Sequence, residues 1–296
     1  MRYTLRQLEV FLATARYENI SRAADALAMS QSAASGSLKA LESQFNVQLF
    51  DRVGKQLRLN PFGAQLRPEA QQVLDQASAL EVLMANEQVV GTISVGATLT
   101  IGNYLTLDMI AQFQSQHREA RVKLDIANTR DIVRRVAEFE LDVGLVEGEV
   151  HDRALHTEHW RQDELVVFAA AGHPLASTKA VDDTALAALP WIVREPGSGT
   201  RQTFDRAMRG ILPDLTIAME LEQPKAIKHA VEVGLGVGCL SAITVEDAFS
   251  RGTLVPLRVP HRDFSREWFI VTHRKKFQSR TLQAWLAHCR EDWSTP

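Results

Sequence analysis

The chain has 296 residues, which is long for one compact core and fits two or three domains of about 100 to 150 residues each. Apolar residues make up 45% of it, enough for packed cores and against wholesale disorder. The net charge of -3 excludes a uniformly basic nucleic-acid binder. Residues 1–60, however, carry eight basic and five acidic side chains, so the N-terminal end is basic and the remainder acidic.

Two cysteines, Cys239 and Cys289, are too few for a disulfide framework, and a reduced state is the default. The first nine residues are polar and do not resemble a signal peptide. No later segment reaches the roughly 18 apolar residues that a membrane helix needs. The sequence therefore predicts a cytoplasmic protein without a membrane partner.

Three short helices are predicted at the N-terminus. An apolar stripe spaced by three and four residues from Leu5 to Ala15 indicates the first. Ser21 is the predicted N-cap of the second helix and Ser30 that of the third, which ends at Asn46 in a left-handed conformation. Two short helices joined by a tight turn form a helix-turn-helix, whose second helix enters the major groove of DNA.

The outward side of the third helix is polar, and a predicted pair of strands around Val53-Gly54-Lys55 forms a wing with a basic tip. Such groups reach base edges and phosphates. Any small three-helix domain shows similar stripes, so a single stripe does not decide the function. The predicted DNA contacts are Ser21, Arg22, Gln31, Ser32, Ser35, Lys39, Arg52 and Lys55.

The joint order of these residues carries more information than any stripe. It runs Ser21-Arg22-Ala23-Ala24, Leu27, Ser30-Gln31-Ser32-Ala33, Leu38, Leu41-Glu42 and Leu49-Phe50-Asp51-Arg52. This order, through about residue 66, resembles the signature of LysR-type transcription regulators. Gly36 and Ser32 depart from it, because the family usually has Arg and often Pro there. The resemblance implies a winged helix-turn-helix over 1–60 that binds double-stranded promoter DNA, with RNA polymerase as a further candidate partner.

A fourth helix is predicted from Asn60 and Pro61, an N-cap followed by a first helical residue. Its apolar positions are spaced 4-3-4-3-4, an a/d heptad seam: Leu66, Ala70, Val73, Ala77, Leu80 and Met84. An apolar stripe of this kind is expected to pack against a partner, which is either the chain's own sensor or the same helix of a second subunit. We predict a linker over 61–90 that pairs two chains into a homodimer, with a homotetramer as the larger assembly.

Residues 91–296 alternate strand and helix patterns, which predicts an α/β fold with a parallel sheet. Strands are predicted over 92–97, 122–126, 143–146, 165–170, 191–193, 237–240 and 268–272. Helices are predicted over 104–116, 131–138, 201–208, 225–233, 244–249 and 282–289. This order resembles the two-lobed, periplasmic-binding-protein-like (type 2) effector domain of LysR regulators. The resemblance implies lobe I over 91–162 and 266–296, lobe II over 163–265, and crossings near 161–164 and 262–267.

Two segments are predicted to converge on a small-molecule anion between the lobes. Residues 98–103 follow the first strand with hydroxyls and an amide, and residues 195–201 offer glycines and a guanidinium. Glu147 either pairs with Arg201 or accepts a hydrogen from a partly protonated ligand. Helix capping by the threonines and a solvated Glu147 remain the alternatives. The predicted effector contacts are Thr98, Thr100, Asn103, Glu147, Gly197, Ser198, Gly199, Thr200 and Arg201.

Residues 98–104 and 195–201 are similar to those of the LysR branch that governs sulfur assimilation and the sulfite response. That similarity implies a sulfur oxyanion, sulfite or sulfate, as the effector, with an organic carboxylate as the alternative.

An enzyme is not predicted. The glycine run 234–238 follows a helix and precedes a strand, the reverse of a dinucleotide-binding loop, and is expected to end the helix and permit close packing. No nucleophile elbow is present, and the three nearby histidines 151, 156 and 159 lack a ligand pattern. No cofactor or metal is expected. An exported solute-binding protein would share the sensor fold but have no use for residues 1–60.

Overall fold

The computed structural model describes residues 2–53, 56–84 and 91–291. It divides into two compact units, Met1–Thr92 with Arg274–Ala287, and Ile93–His273 with His288–Pro296. Across the described ranges, no helix combines the length and apolar character needed to cross a bilayer.

The first unit begins with three helices, α1 (Leu5–Tyr17), α2 (Ile20–Ala26) and α3 (Gln31–Phe45). Ser30 caps α3 as predicted, since its hydroxyl accepts from the Ala33 N–H at 3.2 Å, and Asn46 ends α3 at φ 51°. The predicted cap at Ser21 is wrong. Asn19 caps α2 instead, because its Oδ1 accepts from the N–H groups of both Ser21 and Arg22.

A short antiparallel hairpin follows, formed by β1 (Phe50–Val53) and β2 (Gln56–Leu59). The fourth helix, α4 (Pro61–Met84), begins where the sequence predicted, because Asn60 Oδ1 accepts from the Gly63 N–H at 2.8 Å. We call α1–α3 with this hairpin the head.

The apolar stripe of α4 serves two different surfaces. Ala70 is buried in the core of the head, and Leu66 and Val73 pack against that core. Further along, Leu80 and Met84 are 56% and 71% exposed. The predicted seam is therefore not continuous: its first half is covered within the chain, and only its far end is open.

Residues 91–291 hold the second unit and, at 91–92 and 274–287, parts of the first. They contain one sheet of nine strands in the order β4-β3-β5-β11-β6-β9-β7-β8, with β10 paired to β6. The strands are β3 (Gly91–Thr98), β4 (Ala120–Ala127), β5 (Val143–Glu147), β6 (Leu155–Ala170), β7 (Pro190–Arg194), β8 (Thr216–Leu221), β9 (Val237–Ser241), β10 (Leu254–Pro256) and β11 (Ser265–His273). The α-helices are α5 (Leu99–Ile101), α6 (Leu107–Gln116), α7 (Thr129–Ala137), α8 (Asp183–Ala188), α9 (Gly199–Ala207), α10 (Pro224–Glu232), α11 (Ala242–Arg251) and α12 (Arg280–Cys289).

The sheet is mixed, which corrects the prediction of a parallel sheet. Strand β5 pairs in parallel with β3, and β7 with both β8 and β9, but β11 is antiparallel to β5 and to β6. Strand β6 is also longer than the predicted 165–170. It pairs with β11 from Leu155 to Glu164 and with β9 from Leu165, so the chain crosses between the lobes within one strand.

Several boundaries differ from the predicted ones. The helical structure after β3 begins at Leu99, and a π-helical turn (Gly102–Thr106) joins α5 to α6, so Thr100 and Asn103 lie in helical turns and not in a loop. The sequence patterns did not identify β8, β10 or α8, whose runs are short or mostly exposed.

The glycine run after α10 acts as predicted. Gly234 has φ +82° and follows the last turn of α10, where a side chain would be strained. At Gly236, an added Cβ would lie 2.3 Å from the Pro190 carbonyl oxygen, so the backbones pack closely there.

Candidate functional site

The outward face of α3 presents an exposed polar surface. Gln31, Ser32, Ser35 and Lys39 are exposed on it, while the opposite side buries Ala34, Leu38 and Leu41 in the core of the head. The Ser30 and Ser32 hydroxyls lie 3.0 Å apart. This leaves the predicted recognition face free of any core role.

The other predicted contacts surround this face in the sequence of the head. Arg22 on α2 and Arg52 on β1 are exposed, and Ser21 is half-buried. Lys55 lies outside the described residues. Arg58, which the sequence analysis did not select, is exposed on β2, opposite Asp51 in the hairpin register.

Gly36 lies in the middle of α3 and is exposed. An added Cβ would meet no atom within 4 Å. A larger side chain at this position therefore fits without any rearrangement of the head.

A buried ion pair marks the centre of the second unit, where β5 ends. Arg266 of β11 donates from Nη1 to Glu147 Oε2 at 2.7 Å, and the two side chains are only 1% and 2% exposed. Arg266 Nε also donates to Asp163 Oδ2 of β6 at 2.6 Å, and Ser241 donates to the other oxygen of that carboxylate at 2.8 Å. One guanidinium thus joins two buried carboxylates from opposite sides of the lobe crossing.

The Glu147 carboxylate is further held by the starts of two helices. The Thr100 N–H donates to Oε1 at 3.1 Å, and the Thr200 hydroxyl donates to Oε2 at 3.3 Å. Burial by itself would raise the pKa of Glu147, but Arg266, hydrogen bonding with Thr100 and the charge of Arg194 outweigh it and hold the pKa below its usual value. Glu147 is therefore ionised at neutral pH.

Backbone contacts close this region from a second side. The Gly199 N–H donates to Thr129 Oγ1 at 3.0 Å, and the Thr129 hydroxyl donates to the Glu147 carbonyl oxygen at 2.9 Å. An added Cβ at Gly199 would lie 2.1 Å from that carbonyl oxygen. Only glycine permits this approach of α9 to the end of β5.

Two further buried hydroxyls belong to Thr98 and Thr244. Hydrogen bonding by the Thr98 side chain also helps to hold the pKa of Glu147 low, whereas the Thr244 hydroxyl makes no hydrogen bond with any described residue. Their residues are 2% and 1% exposed. Thr244 lies in the first turn of α11, and its carbonyl oxygen accepts from Tyr104 at 3.4 Å and from Lys228 at 2.8 Å. We call the region formed by Thr98, Thr100, Glu147, Thr200, Thr244 and Arg266 the cleft.

The predicted pairing of Glu147 with Arg201 is wrong, because Arg266 occupies that place. Arg201 instead donates to Asp205 at 2.8 Å, to Glu220 at 2.9 Å and to the Arg194 carbonyl at 3.0 Å. A carboxylate within its own helix and one on β8 thus hold its guanidinium.

Four other predicted contacts lie at different depths. Asn103 is exposed on the π-helical turn. Ser198 is buried and caps α9, and Gly197, at φ +100°, accepts from the Arg130 N–H at 3.1 Å. Gly197 and Arg201 border a surface cavity of about 350 Å³ with Thr129 and Gln202. The predicted set therefore divides among the buried cleft, this outer cavity and, for Asn103, the exposed surface.

Sequence patterns did not identify the remaining groups in and around the cleft, which are Thr129, Asp163, Ser241, Thr244 and Arg266. None lies in a glycine-rich or hydroxyl-rich string. Asp163 and Arg266 fall at the predicted crossings, 103 residues apart, which was the one available signal.

Comparison with known proteins agrees with this architecture. Residues 5–64 match the family "Bacterial regulatory helix-turn-helix protein, lysR family", and residues 86–294 match the family "LysR substrate binding domain". The transcriptional regulator YeiE of Escherichia coli (strain K12) is 42% identical over 289 residues, covering 98% of each chain. CysL of Bacillus subtilis (strain 168) is 32% identical over 239 residues, covering 79% of each. A full-length OxyR variant from Pseudomonas aeruginosa shares the fold, with a TM-score of 0.76, 22% identity and complete coverage of both chains.

A winged reading head joined to a two-lobed α/β sensor defines a DNA-binding transcription regulator. The chain belongs to the LysR family, whose members named above are regulators and not enzymes.

Proposed function

We propose that the cleft of this LysR-type regulator captures a compact oxyanion, sulfite in the first place, and that the head reads promoter DNA through α3 and the wing. The observation that carries the proposal is the buried Glu147–Arg266 pair, which the Thr98 and Thr200 side chains also contact, together with the buried and unpartnered hydroxyl of Thr244. Buried polar groups without partners are costly, so a polar ligand that satisfies them is stabilised there.

The ionised Glu147 favours one kind of oxyanion over another. A fully ionised dianion such as sulfate would be repelled by this carboxylate, whereas an oxyanion that carries a hydrogen can donate it to Glu147. Sulfite is partly protonated near neutral pH and meets this condition.

An organic carboxylate is the second candidate. The regulatory domain of Synechocystis CcmR, 26% identical with a TM-score of 0.63 over 68% of this chain, was solved in complex with 2-PG. The same sensor architecture thus holds a ligand in another protein. The cleft of this chain supplies guanidinium and hydroxyl groups, which a carboxylate also uses.

For assembly, we propose a homodimer through the far end of α4 and a homotetramer of two such pairs. Leu80 and Met84 support it, because they are exposed on a helix with heptad spacing. The division into 1–60, 61–90 and 91–296 is part of the same proposal. In it, ligand capture shifts the population of lobe arrangements, and the linker helices change the spacing of the heads on DNA.

Thermal unfolding of the full chain tests the effector, with sodium sulfite, sodium sulfate and small carboxylates added at constant ionic strength. A ligand that binds only the folded state raises the Tm. We expect the largest rise with sulfite, and a smaller one at higher pH, where sulfite loses its hydrogen. A rise with carboxylates alone would favour the second candidate, and equal values throughout would contradict an anion site in the cleft.

A further inference from the structure

The guanidinium of Arg194 is a buried charge that the cleft described above does not explain. Arg194 is the last residue of β7, and its side chain is 2% exposed. Within the described chain, its guanidinium hydrogen-bonds only to the carboxylate of the next residue, Glu195, from Nε at 2.8 Å and Nη2 at 2.9 Å. A guanidinium has five N–H donors, so this pair leaves several of them unused.

The position of Arg194 places these donors at the cleft. Strand β7 runs parallel to β9, with Ile192 opposite Gly238, so both strands end at the same edge of the sheet. Helix α11 and Thr244 follow directly from the end of β9. Ligands of open α/β sheets bind at the carboxyl ends of parallel strands.

The electrostatic effect of Arg194 on Glu147 also indicates that Arg194 lies near the cleft. The field of Arg194 reaches the buried Glu147 and helps to hold its pKa low. Arg194 therefore acts on the group at the centre of the cleft, although no direct hydrogen bond joins the two.

A permanent structural role explains Arg194 poorly. Burying an ion pair costs desolvation free energy, and the attraction between the two charges offsets this cost only when the remaining donors are also hydrogen-bonded. Glu195 is the more exposed partner, at 14% against 2% for Arg194. The pair thus consists of a buried cation and a carboxylate that lies nearer the surface.

We propose that Arg194 is an effector-binding residue and that Glu195 is its built-in counter-ion, which an oxyanion of the effector replaces. This inference rests on the proposed function and deepens it, because it names the cation that receives the ligand. The oxyanion takes the Nε and Nη2 donors that Glu195 releases and adds the unused ones, while the Thr98 and Thr244 hydroxyls contact its other atoms. Arg201, already held by Asp205 and Glu220, is the rival for this role.

Calorimetric titration of the full chain with sodium sulfite, or with whichever anion of the panel raises the Tm most, tests the assignment. We expect Arg194→Gln to weaken binding about 10- to 100-fold, the value of a lost charged hydrogen-bond pair. Glu195→Gln should tighten binding about three- to tenfold, because it removes a competing carboxylate. Arg201→Gln should have a smaller effect than Arg194→Gln. Arg251→Gln is the matched control, since Arg251 is 56% exposed on α11, and its affinity should stay within about twofold of the wild type.

The variants Arg194→Gln and Glu195→Gln test the assignment independently of each other. If Arg194→Gln fails to fold, tighter binding by Glu195→Gln still supports the assignment, and unchanged or weaker binding overturns it. Unaltered affinity in a folded Arg194→Gln chain, or a larger loss in Arg201→Gln, also overturns it while the anion site itself stands. If the wild type binds no anion of the panel, the proposed function fails first and this assignment fails with it.

Discussion

The head and the cleft of this regulator handle charge in opposite ways. In the head, Arg22, Lys39 and Arg52 are exposed to solvent. In the cleft, Glu147 and Arg266 are 2% and 1% exposed and directly paired. Exposed cations are screened by salt and interact weakly until a phosphate backbone arrives, whereas buried charges interact strongly at all ionic strengths. The difference predicts that substitutions in the cleft act on folding and those in the head on DNA affinity.

The largest effect is expected from Arg266→Met. The substitution leaves Glu147 and Asp163 buried without their shared cation, which should cost about 3–5 kcal/mol in the free energy of unfolding. Tryptophan fluorescence during urea unfolding measures it, because all five tryptophans follow residue 159. Neutralising both carboxylates in the same chain, with Glu147→Gln and Asp163→Asn, should restore part of the loss. A stable Arg266→Met protein would show that the pair contributes little.

Lys39→Ala tests the exposed cations of the head, and we expect an effect on DNA affinity of intermediate size. The variant should bind operator DNA more weakly at low salt, and the slope of log affinity against log salt should fall in magnitude by about one. Gel-shift titrations at several salt concentrations measure the slope, with the chain's own upstream region as the first fragment. Lys179→Ala makes the same chemical change at an exposed position of the second unit and should leave the slope unchanged. An identical slope for Lys39→Ala would remove that residue from the DNA contacts.

The smallest effect is expected at Gly36. Because a Cβ there meets no atom within 4 Å, Gly36→Ala should stabilise α3 by about 0.5–1 kcal/mol through helix propensity alone. Circular dichroism during thermal unfolding measures it. Gly36→Arg, the residue usual in the family, should add a tighter and more salt-dependent DNA affinity. A lower Tm for Gly36→Ala would mean that the head needs glycine for a reason that the open space does not show.

How far the sequence predicted these regions depends on how local their interactions are. Ser30 and Asn60 were predicted as caps because a cap bonds within three residues, and both do so in the structure. Ser21 failed because Asn19, only two residues earlier, is the stronger cap and starts the helix at Ile20, which places Ser21 inside the first turn.

The cleft was predicted in part, and the reason is separation along the chain. Thr100, Glu147 and Thr200 were predicted as effector contacts from the short sequence segments that contain them, and they lie together in the structure. Arg266 was not, because the residue that pairs with Glu147 is 119 positions away and no spacing rule reaches it. The charge that a carboxylate needs can be inferred from a sequence, but which arginine supplies it depends on the strand register.

The contact of Gly199 with the end of β5 also limits which residues evolution can place at position 199. The Gly199 N–H donates to Thr129, whose hydroxyl donates to the Glu147 carbonyl oxygen. Because an added Cβ would lie 2.1 Å from that carbonyl oxygen, any other residue at position 199 would push the start of α9 away from β5. Sequence drift at this position would therefore disturb the backbone beside Glu147 as directly as a change of Glu147 itself.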